Sequence, residues 1–471
     1  MVTGGSVRRA LRESTAALAA LSAVTWAPGA VGTASAADGA ADLTKVPRYT
    51  TAPDATPVKG RASAADAPEI GRGTYTDAIE RGEQKYYTVP LDARSTAYFS
   101  VVAAPPPGTK VEDHADRLKI SVQDVDGTRC DREADPAFRG DGTAYPIADS
   151  ATRGVDGANS PCRNAGAYYL VVTREGPATS GPQAWPIEIT HLSEPGLKGT
   201  APTTPADGGP SATPPPPASG AKRTARGGSG FHTAGAVGTG LWKDRIRPGE
   251  SRFYRVPVDW GQRLNLSAEL PNAATGTAEG IAKALGVTAY NPARGVIDDD
   301  TFVFYDGRPA ASKLFTAPVA YGNRFAVSDD VRAMRVAGWY YLEVTLHPAA
   351  ARYFPRGADL MLRVDVRGPA RPGPGYAGPA GDFSVTPGDH ETAGNGLSGE
   401  QAGGGNLRTL GYAGIATGAV LLAVLGGWTL LARRTAAPAV GPALSPQAHA
   451  AEPTRSGPRA PGAPHGRPER R

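Results

Sequence analysis

Apolar and polar positions alternate in short runs through the middle of the chain. Leu118, Ile120 and Val122 alternate with Lys119, Ser121 and Gln123, the period-two pattern of a strand with one face inward. Tyr86, Tyr87, Val89 and Leu91 form a β-prone run after the turn Arg81-Gly82-Glu83. Tyr98 to Val102 form another, answered later by Leu264, Leu266 and Ala268. Tyr168 to Thr173, Trp185 to Ile189, Tyr340 to Thr345 and Leu360 to Val366 read the same way, and Asp124-Val125-Asp126-Gly127 reads as a turn. Long amphipathic helices are absent; a turn or two of helix is expected only near Ala278 to Leu285. Short strands punctuated by Gly and Pro predict antiparallel β-sandwiches.

These strands come in two sets. Gly71 to Asp92 (GRGTYTDAIERGEQKYYTVPLD) aligns without a gap on Gly238 to Asp259 (GTGLWKDRIRPGESRFYRVPVD), matching Asp77 with Asp244, Gly82 with Gly249 and Tyr87 with Tyr254. Ala165 to Thr173 then matches Ala337 to Thr345. Two blocks repeated in the same order imply one domain present twice. The copies are placed at 71–195 and 231–368, with a Pro/Gly-rich linker at 196–230.

The order of features, a turn with an aromatic strand, an apolar strand ending in Asp/Asn-x-x-Gly and a closing Gly-x-Tyr-Tyr strand, resembles the pre-peptidase C-terminal domain. That family is a small jelly-roll-like β-sandwich of secreted bacterial proteins. The tandem arrangement is also similar to the paired β module that accompanies von Willebrand A domains in actinomycete surface proteins. Here no Asp-x-Ser-x-Ser metal motif and no peptidase domain accompany it. The resemblance brings no catalytic residue and implies an accessory role in binding, solubility or substrate contact.

The ends depart from the strand pattern. Arg8, Arg9 and Arg12 precede the short apolar run Ala16 to Val24, and Ala34-Ser35-Ala36 offers a small-residue cleavage site, so 1–36 reads as an export signal. The paired arginines hint at the twin-arginine route, but the rest of that motif is poor, and general secretion is the favoured reading. Residues 37–70 read as a disordered leader and 369–409 as a low-complexity stalk. From Leu410 to Ala432 there is no charged residue, long enough to cross about 30 Å of hydrocarbon as a helix. Arg433 and Arg434 follow as a stop-transfer pair, opening a basic disordered tail at 433–471. No sortase motif precedes the apolar segment, and no cysteine near the cleavage point allows a lipoprotein anchor. The expected protein crosses the cell membrane once, with its N-terminal ectodomain outside and its tail in the cytoplasm.

Charge then changes one inference. The net charge is +5, which by itself suggests nucleic acid. The signal holds +2 and the tail +5, leaving about −2 for the region between them. The basicity therefore serves orientation, and no nucleic-acid partner is expected.

The two cysteines, Cys130 and Cys162, both fall in the first copy, and an oxidising exterior favours a disulfide between them. No catalytic constellation stands out. The seven histidines are scattered, with no pair at metal-ligand spacing and no Gly-x-Ser-x-Gly elbow nearby. Two acidic spots have the oxygen chemistry calcium needs: Asp124 with Asp126, and Asp298-Asp299-Asp300. The competing reading is a hairpin turn and a solvated acidic run. Trp242, Trp260, Trp339, Tyr340 and Tyr341 are either a carbohydrate-binding face or, the favoured reading, core. Together these features describe a non-catalytic envelope protein without a cofactor, its duplicated ectodomain serving as a binding or scaffolding module. The expected partner is another envelope protein, cell-wall glycan or a secretion component. The alternative is an accessory subunit or degenerate relative of a secreted hydrolase acting on peptide or polysaccharide.

Overall fold

A computed structural model describes residues 41–396 apart from 156–161, 201, 203, 208, 211–220, 274–278 and 300. The export signal, the apolar segment 410–432 and the basic tail lie outside the described residues. Among the described residues no helix is long and apolar enough to cross a membrane.

The described chain is mostly β-sheet, with few and short helices. Strands β1 (Thr56–Pro57), β2 (Gly73–Ile79), β3 (Gln84–Leu91), β4 (Thr96–Ala103), β5 (Arg117–Gln123), β6 (Ile147–Arg153), β7 (Gly166–Glu175) and β8 (Trp185–Glu194) build the first repeat. They form one sheet of order β1-β2-β8-β4-β6 and a second of order β3-β7-β5. The second repeat holds β9 (Arg223–Thr224), β10 (Gly235–Ala236), β11 (Gly240–Ile246), β12 (Ser251–Val258), β13 (Arg263–Leu270), β14 (Ile281–Tyr290), β15 (Val296–Asp298), β16 (Val303–Tyr305), β17 (Ala310–Phe315), β18 (Gly338–Leu346) and β19 (Ala358–Arg367). Its sheets run β17-β13-β19-β11-β9 and β10-β12-β18-β14-β15, the same order of equivalent strands. Helical turns expected near Ala278 to Leu285 are replaced by β14, whose Ile281, Leu285 and Val287 face the core of the second sandwich.

The duplication begins earlier than the linker composition suggests. β1 pairs parallel with β2 as β9 does with β11. Bridges Arg61 to Tyr86 and Gly228 to Phe253 occupy equivalent places, and Ile70 and Val237 each donate a backbone N–H to the strand beside them at 2.9 Å. Residues 56–70, read from sequence as disordered leader, and 223–230, read as linker, are thus the opening strands of the two sandwiches. Their composition is poor in apolar residues, but edge pairing needs backbone rather than side chains.

One buried device is duplicated with them. Asp77 Oδ2 accepts from Gly60 N and Tyr87 Oη, both at 2.8 Å, and Asp244 Oδ2 accepts from Gly227 N and Tyr254 Oη, both at 2.7 Å. Lys85 Nζ lies 3.0 Å from the first carboxylate, whereas Arg252 stands 3.9 Å from the second. A Cβ on Gly60 or on Gly227 would sit 2.7 Å from the tyrosine ring. Gly227→Ala and Gly60→Ala are therefore each expected to cost about 1–3 kcal/mol by overpacking, read by urea unfolding, with similar losses at the two sites.

The sandwiches are stacked, giving four sheets in layers. Core residues such as Phe99, Val101 and Ile189 meet Val89, Ile120 and Leu170 inside the first repeat. Leu266, Leu360 and Leu362 meet Val256, Val287 and Leu342 inside the second. Between the repeats lies a third apolar layer. Val102 and Ala148 pack against Phe253 and Tyr290, with Phe231 wedged among them, and Tyr98 packs beside Ala293, Val336 and Phe383. Every residue of β4 is buried, because its inner face fills its own sandwich and its outer face meets the other repeat.

The C-terminal segment also differs from a stalk over its described part. Tyr376 Oη donates to Glu194 at 2.7 Å, Phe383 fills the gap between the repeats, and α2 (Pro387–Asn395) lies against β10 and β12. A capping box of Thr386 and Asp389 starts that helix. Residues 369–396 are a strap across both sandwiches.

Candidate functional site: a polar cleft at the seam

Two buried carboxylates on the outer face of β8 hold the repeats together. Glu188 accepts from Arg294 Nη1 at 2.5 Å, Tyr49 Oη at 3.0 Å and Ala52 N at 2.9 Å. Glu194 accepts from Arg324 Nη2 at 2.8 Å and from Tyr98 Oη and Tyr376 Oη, both at 2.7 Å. Both glutamates are 1% exposed, and each is met by an arginine and two further donors. Arg294 carries its guanidinium 4.8 Å over the Phe231 ring. Glu188, Glu194, Arg294 and Arg324 belong to no motif in the sequence. The available signal was Tyr98 to Val102, an apolar run without alternation, which marks a strand covered on both faces.

Beside this seam opens a cavity of about 440 Å³ walled by both repeats. From the first repeat come the loop Asp131 to Pro136, Arg139 and the edge strand β6 with Asp149, Ser150 and Thr152. From the second come the turn after β14, β15, and α1 (Asp329–Ala333) with Arg335 just beyond it. The wall at Asp131 is anchored by the disulfide Cys130–Cys162, whose Cα atoms lie 5.3 Å apart. The bond expected from the sequence is therefore formed, and it fixes a loop of the cleft as well as the first core.

All four arginines of the cleft are engaged. Arg132 meets Asp329 at 2.9 Å, Arg332 meets the same carboxylate, and Arg139 meets Asp299 at 3.0 Å. Arg335 donates to Thr152 Oγ1 at 2.8 Å and lies 5.2 Å from the Tyr98 ring. Asp149 is different. Its Oδ1 accepts from Val296 N at 2.9 Å and Ser150 N at 2.7 Å. Desolvation by burial pushes this carboxyl up to about 7.

The acids singled out in the sequence separate into two places. Asp124 Oδ1 accepts from Asp126 N at 3.0 Å and Thr128 N at 2.8 Å, closing an exposed turn. Asn291 closes the equivalent turn of the second repeat through Ala293 N and Gly295 N. The turn reading is thus sufficient for Asp124 and Asp126. Asp298 and Asp299 line the cleft, and Asp300 lies outside the described residues. Among the described residues no group of three His, Cys, Asp or Glu side chains is placed to hold a metal ion. Of the aromatics, Trp242, Trp260 and Tyr340 fill the second core. Tyr341 packs on Phe231 at the seam, and Trp339 is half-buried beneath Arg255 with its indole N–H 3.1 Å from Asp389.

No protein-family model and no curated sequence matches the chain. Among solved structures, the CUB1-EGF-CUB2 domain of human MASP-1/3 is 7% identical, with 62% of this chain and 99% of that one covered at a TM-score of 0.14. The N-terminal CBM22-1-CBM22-2 tandem domain from Paenibacillus barcinonensis Xyn10C is 9% identical, with 62% and 85% covered at 0.17. The tandem CBM51 modules of Sp3GH98 from Streptococcus pneumoniae SP3-BS71 are 9% identical, with 61% and 81% covered at 0.16. Likeness at this level carries no argument about what the chain binds.

Proposed function

We propose that the chain is a non-catalytic surface protein, tethered to the cell membrane by residues 410–432, whose two fused sandwiches bind a partner outside the cell. The observation that carries this reading is the cleft at the seam: a cavity whose walls come from both repeats and are fixed by buried ion pairs and a disulfide. Its size falls within the range usual for binding pockets. The strap bears on how the ectodomain is held. With 369–396 folded onto the sandwiches, residues 397–409 alone link them to the apolar segment and reach at most about 45 Å when extended.

The test uses full-length protein in detergent, screened for turnover of peptide and polysaccharide substrates and for their binding. Binding without turnover is expected. Turnover abolished by Asp149→Asn would replace this reading with that of a hydrolase. Labelling an introduced tail cysteine with a membrane-impermeant reagent tests the topology, and modification in intact cells would contradict it.

A further inference from the structure

The stack of sheets has two free ends, and they differ in charge. At one end lies the sheet β3-β7-β5 of the first repeat, where Arg117 and Lys119 both pair with Glu175, and with Asp135 and Glu133 respectively. At the other lies β17-β13-β19-β11-β9 of the second repeat. Leu264, Leu266, Leu360 and Leu362 fill the core from that sheet, so the residues alternating with them face outward. Arg263, Lys313, Lys243, Arg245, Arg363 and Arg367 stand on this outer face against Glu269, Asp359 and Asp365. Arg363 is spent on Glu269 and Arg367 on Asp365, and Arg245 donates to the carbonyls of Arg356 and Gly357. Among the described residues no carboxylate pairs with Arg263, Lys243 or Lys313, nor with Lys222 just before the edge strand β9. The region between export signal and tail totals about −2, so this is a basic face on an acidic ectodomain. The charge belongs to the second copy alone, since Thr76 and Ala78 hold the places of Lys243 and Arg245 in the first.

The chain leaves the sandwich at an edge of the same sheet. Arg223 Nη1 donates to Gly394 O at 2.7 Å, and a Cβ on Gly396 would lie 2.8 Å from Thr224 O, so the end of the described chain rests on β9. Thirteen residues, 397–409, then separate it from the apolar segment 410–432. Close to that exit a depression of about 420 Å³ is lined by Lys222, Lys243 and Arg363 together with Met361, Pro271 and Pro309.

We propose that the outer face of β17-β13-β19-β11-β9 docks on the membrane surface and binds anionic phospholipid headgroups, with Lys222, Lys243, Lys313 and Arg263 meeting their phosphates. This goes beyond partner binding in the cleft and rests on the membrane tether proposed above. The tether brings the β9 edge to the bilayer, and the unpaired cations lay the rest of the sheet against it. Attraction of this kind reaches about 10 Å at 0.1 M salt, so it acts only once the face is close. Zwitterionic headgroups carry phosphate without net charge, and the docking therefore depends on the anionic fraction of the lipid.

The experiment places a fluorophore on Ala311→Cys, in β17 at the edge farthest from the tether, and separately on Gln84→Cys at the opposite end of the stack. Both native cysteines are held in the disulfide, so each label is specific. Full-length protein is reconstituted in nanodiscs bearing a headgroup quencher, in phosphatidylcholine alone or with about 30% phosphatidylglycerol. Quenching at position 311 is expected to be about threefold or more stronger in the anionic discs, with no change at position 84. Salt at about 1 M, or the triple variant Lys222→Gln, Lys243→Gln and Lys313→Gln, should abolish the difference. Equal quenching in the two lipids, or a difference that survives both salt and the variant, would overturn the proposal. If the triple variant fails to fold by its thermal melt, the salt series decides alone. Indifference to the lipid combined with tight binding of dextran sulfate would overturn it in favour of a soluble anionic polymer. Protein that does not enter the discs would remove the tether. Flotation of the labelled protein on phosphatidylglycerol vesicles then judges the face by itself: flotation lost at high salt and in the triple variant keeps it, and no flotation overturns it.

Discussion

Glu188→Ala is expected to destabilise the folded protein by about 3–5 kcal/mol, the usual cost of leaving a buried charge without its partner. The substitution strips Arg294 of its carboxylate and leaves Tyr49 Oη and Ala52 N without an acceptor. Arg294 would retain the Phe231 ring, which holds a cation far less well than a carboxylate does. Glu188 belongs to the first repeat and Arg294 to the second, so the loss falls on their junction. Guanidinium unfolding followed by intrinsic fluorescence measures it. A double variant, Glu188→Leu with Arg294→Met, should recover much of the loss by replacing the pair with apolar bulk. A single variant within 1 kcal/mol of the parent would show that the repeats do not depend on this contact.

The second large effect is a pH dependence. Glu343 lies on the seam face of β18, 1% exposed, with Oε2 accepting from Tyr290 Oη at 3.0 Å and Oε1 without a partner. Burial without a cation pushes its carboxyl up to about 8. The folded state therefore holds a proton that the unfolded chain releases near the ordinary glutamate range. Stability from this group is complete at acidic pH and is lost progressively as pH rises towards about 8. Asp149, held near 7, acts in the same direction over a narrower window. His191, packed 4.3 Å from the Phe99 ring and held near 4 by desolvation, opposes them as pH falls below its ordinary range. Comparison with Glu343→Gln cancels those other groups. The stability of this variant relative to the parent should rise by roughly 3–4 kcal/mol between about pH 5 and about pH 8.5. Parallel curves for the two proteins would mean that Glu343 is ionised in the fold.

The duplicated β architecture was legible because its signals are local. A Gly-Glu turn followed by Tyr87 or Tyr254, and a closing Tyr-Tyr strand, need only neighbours in sequence to be read. Gly60 and Gly227 were missed for the converse reason. Each matters through a tyrosine ring far along the chain, and each sits in Ala-, Thr-, Pro- or Gly-rich sequence that resembles linker. The seam was less legible still, since nothing near Glu188 announces Arg294, and pairing across more than one domain leaves no period. Tyr376 and Phe383 illustrate the same limit: a hydrogen bond to Glu194 and an aromatic ring between the repeats help fix a segment whose composition reads as low-complexity. Of the candidate acids, Asp298 and Asp299 do fall in the cleft, but Asp149, its floor, lies in Ala-Asp-Ser-Ala and carries no motif.

The account rests on the two repeats being one rigid body, because only then do their facing walls make a site. Electron–electron double resonance between spin labels at Gln84 and Lys313, exposed on the outermost sheets of the two repeats, measures this directly. A single narrow distance distribution is predicted. A broad or multiply peaked distribution would mean that the sandwiches move independently, and that the cleft is not a lasting feature of the protein.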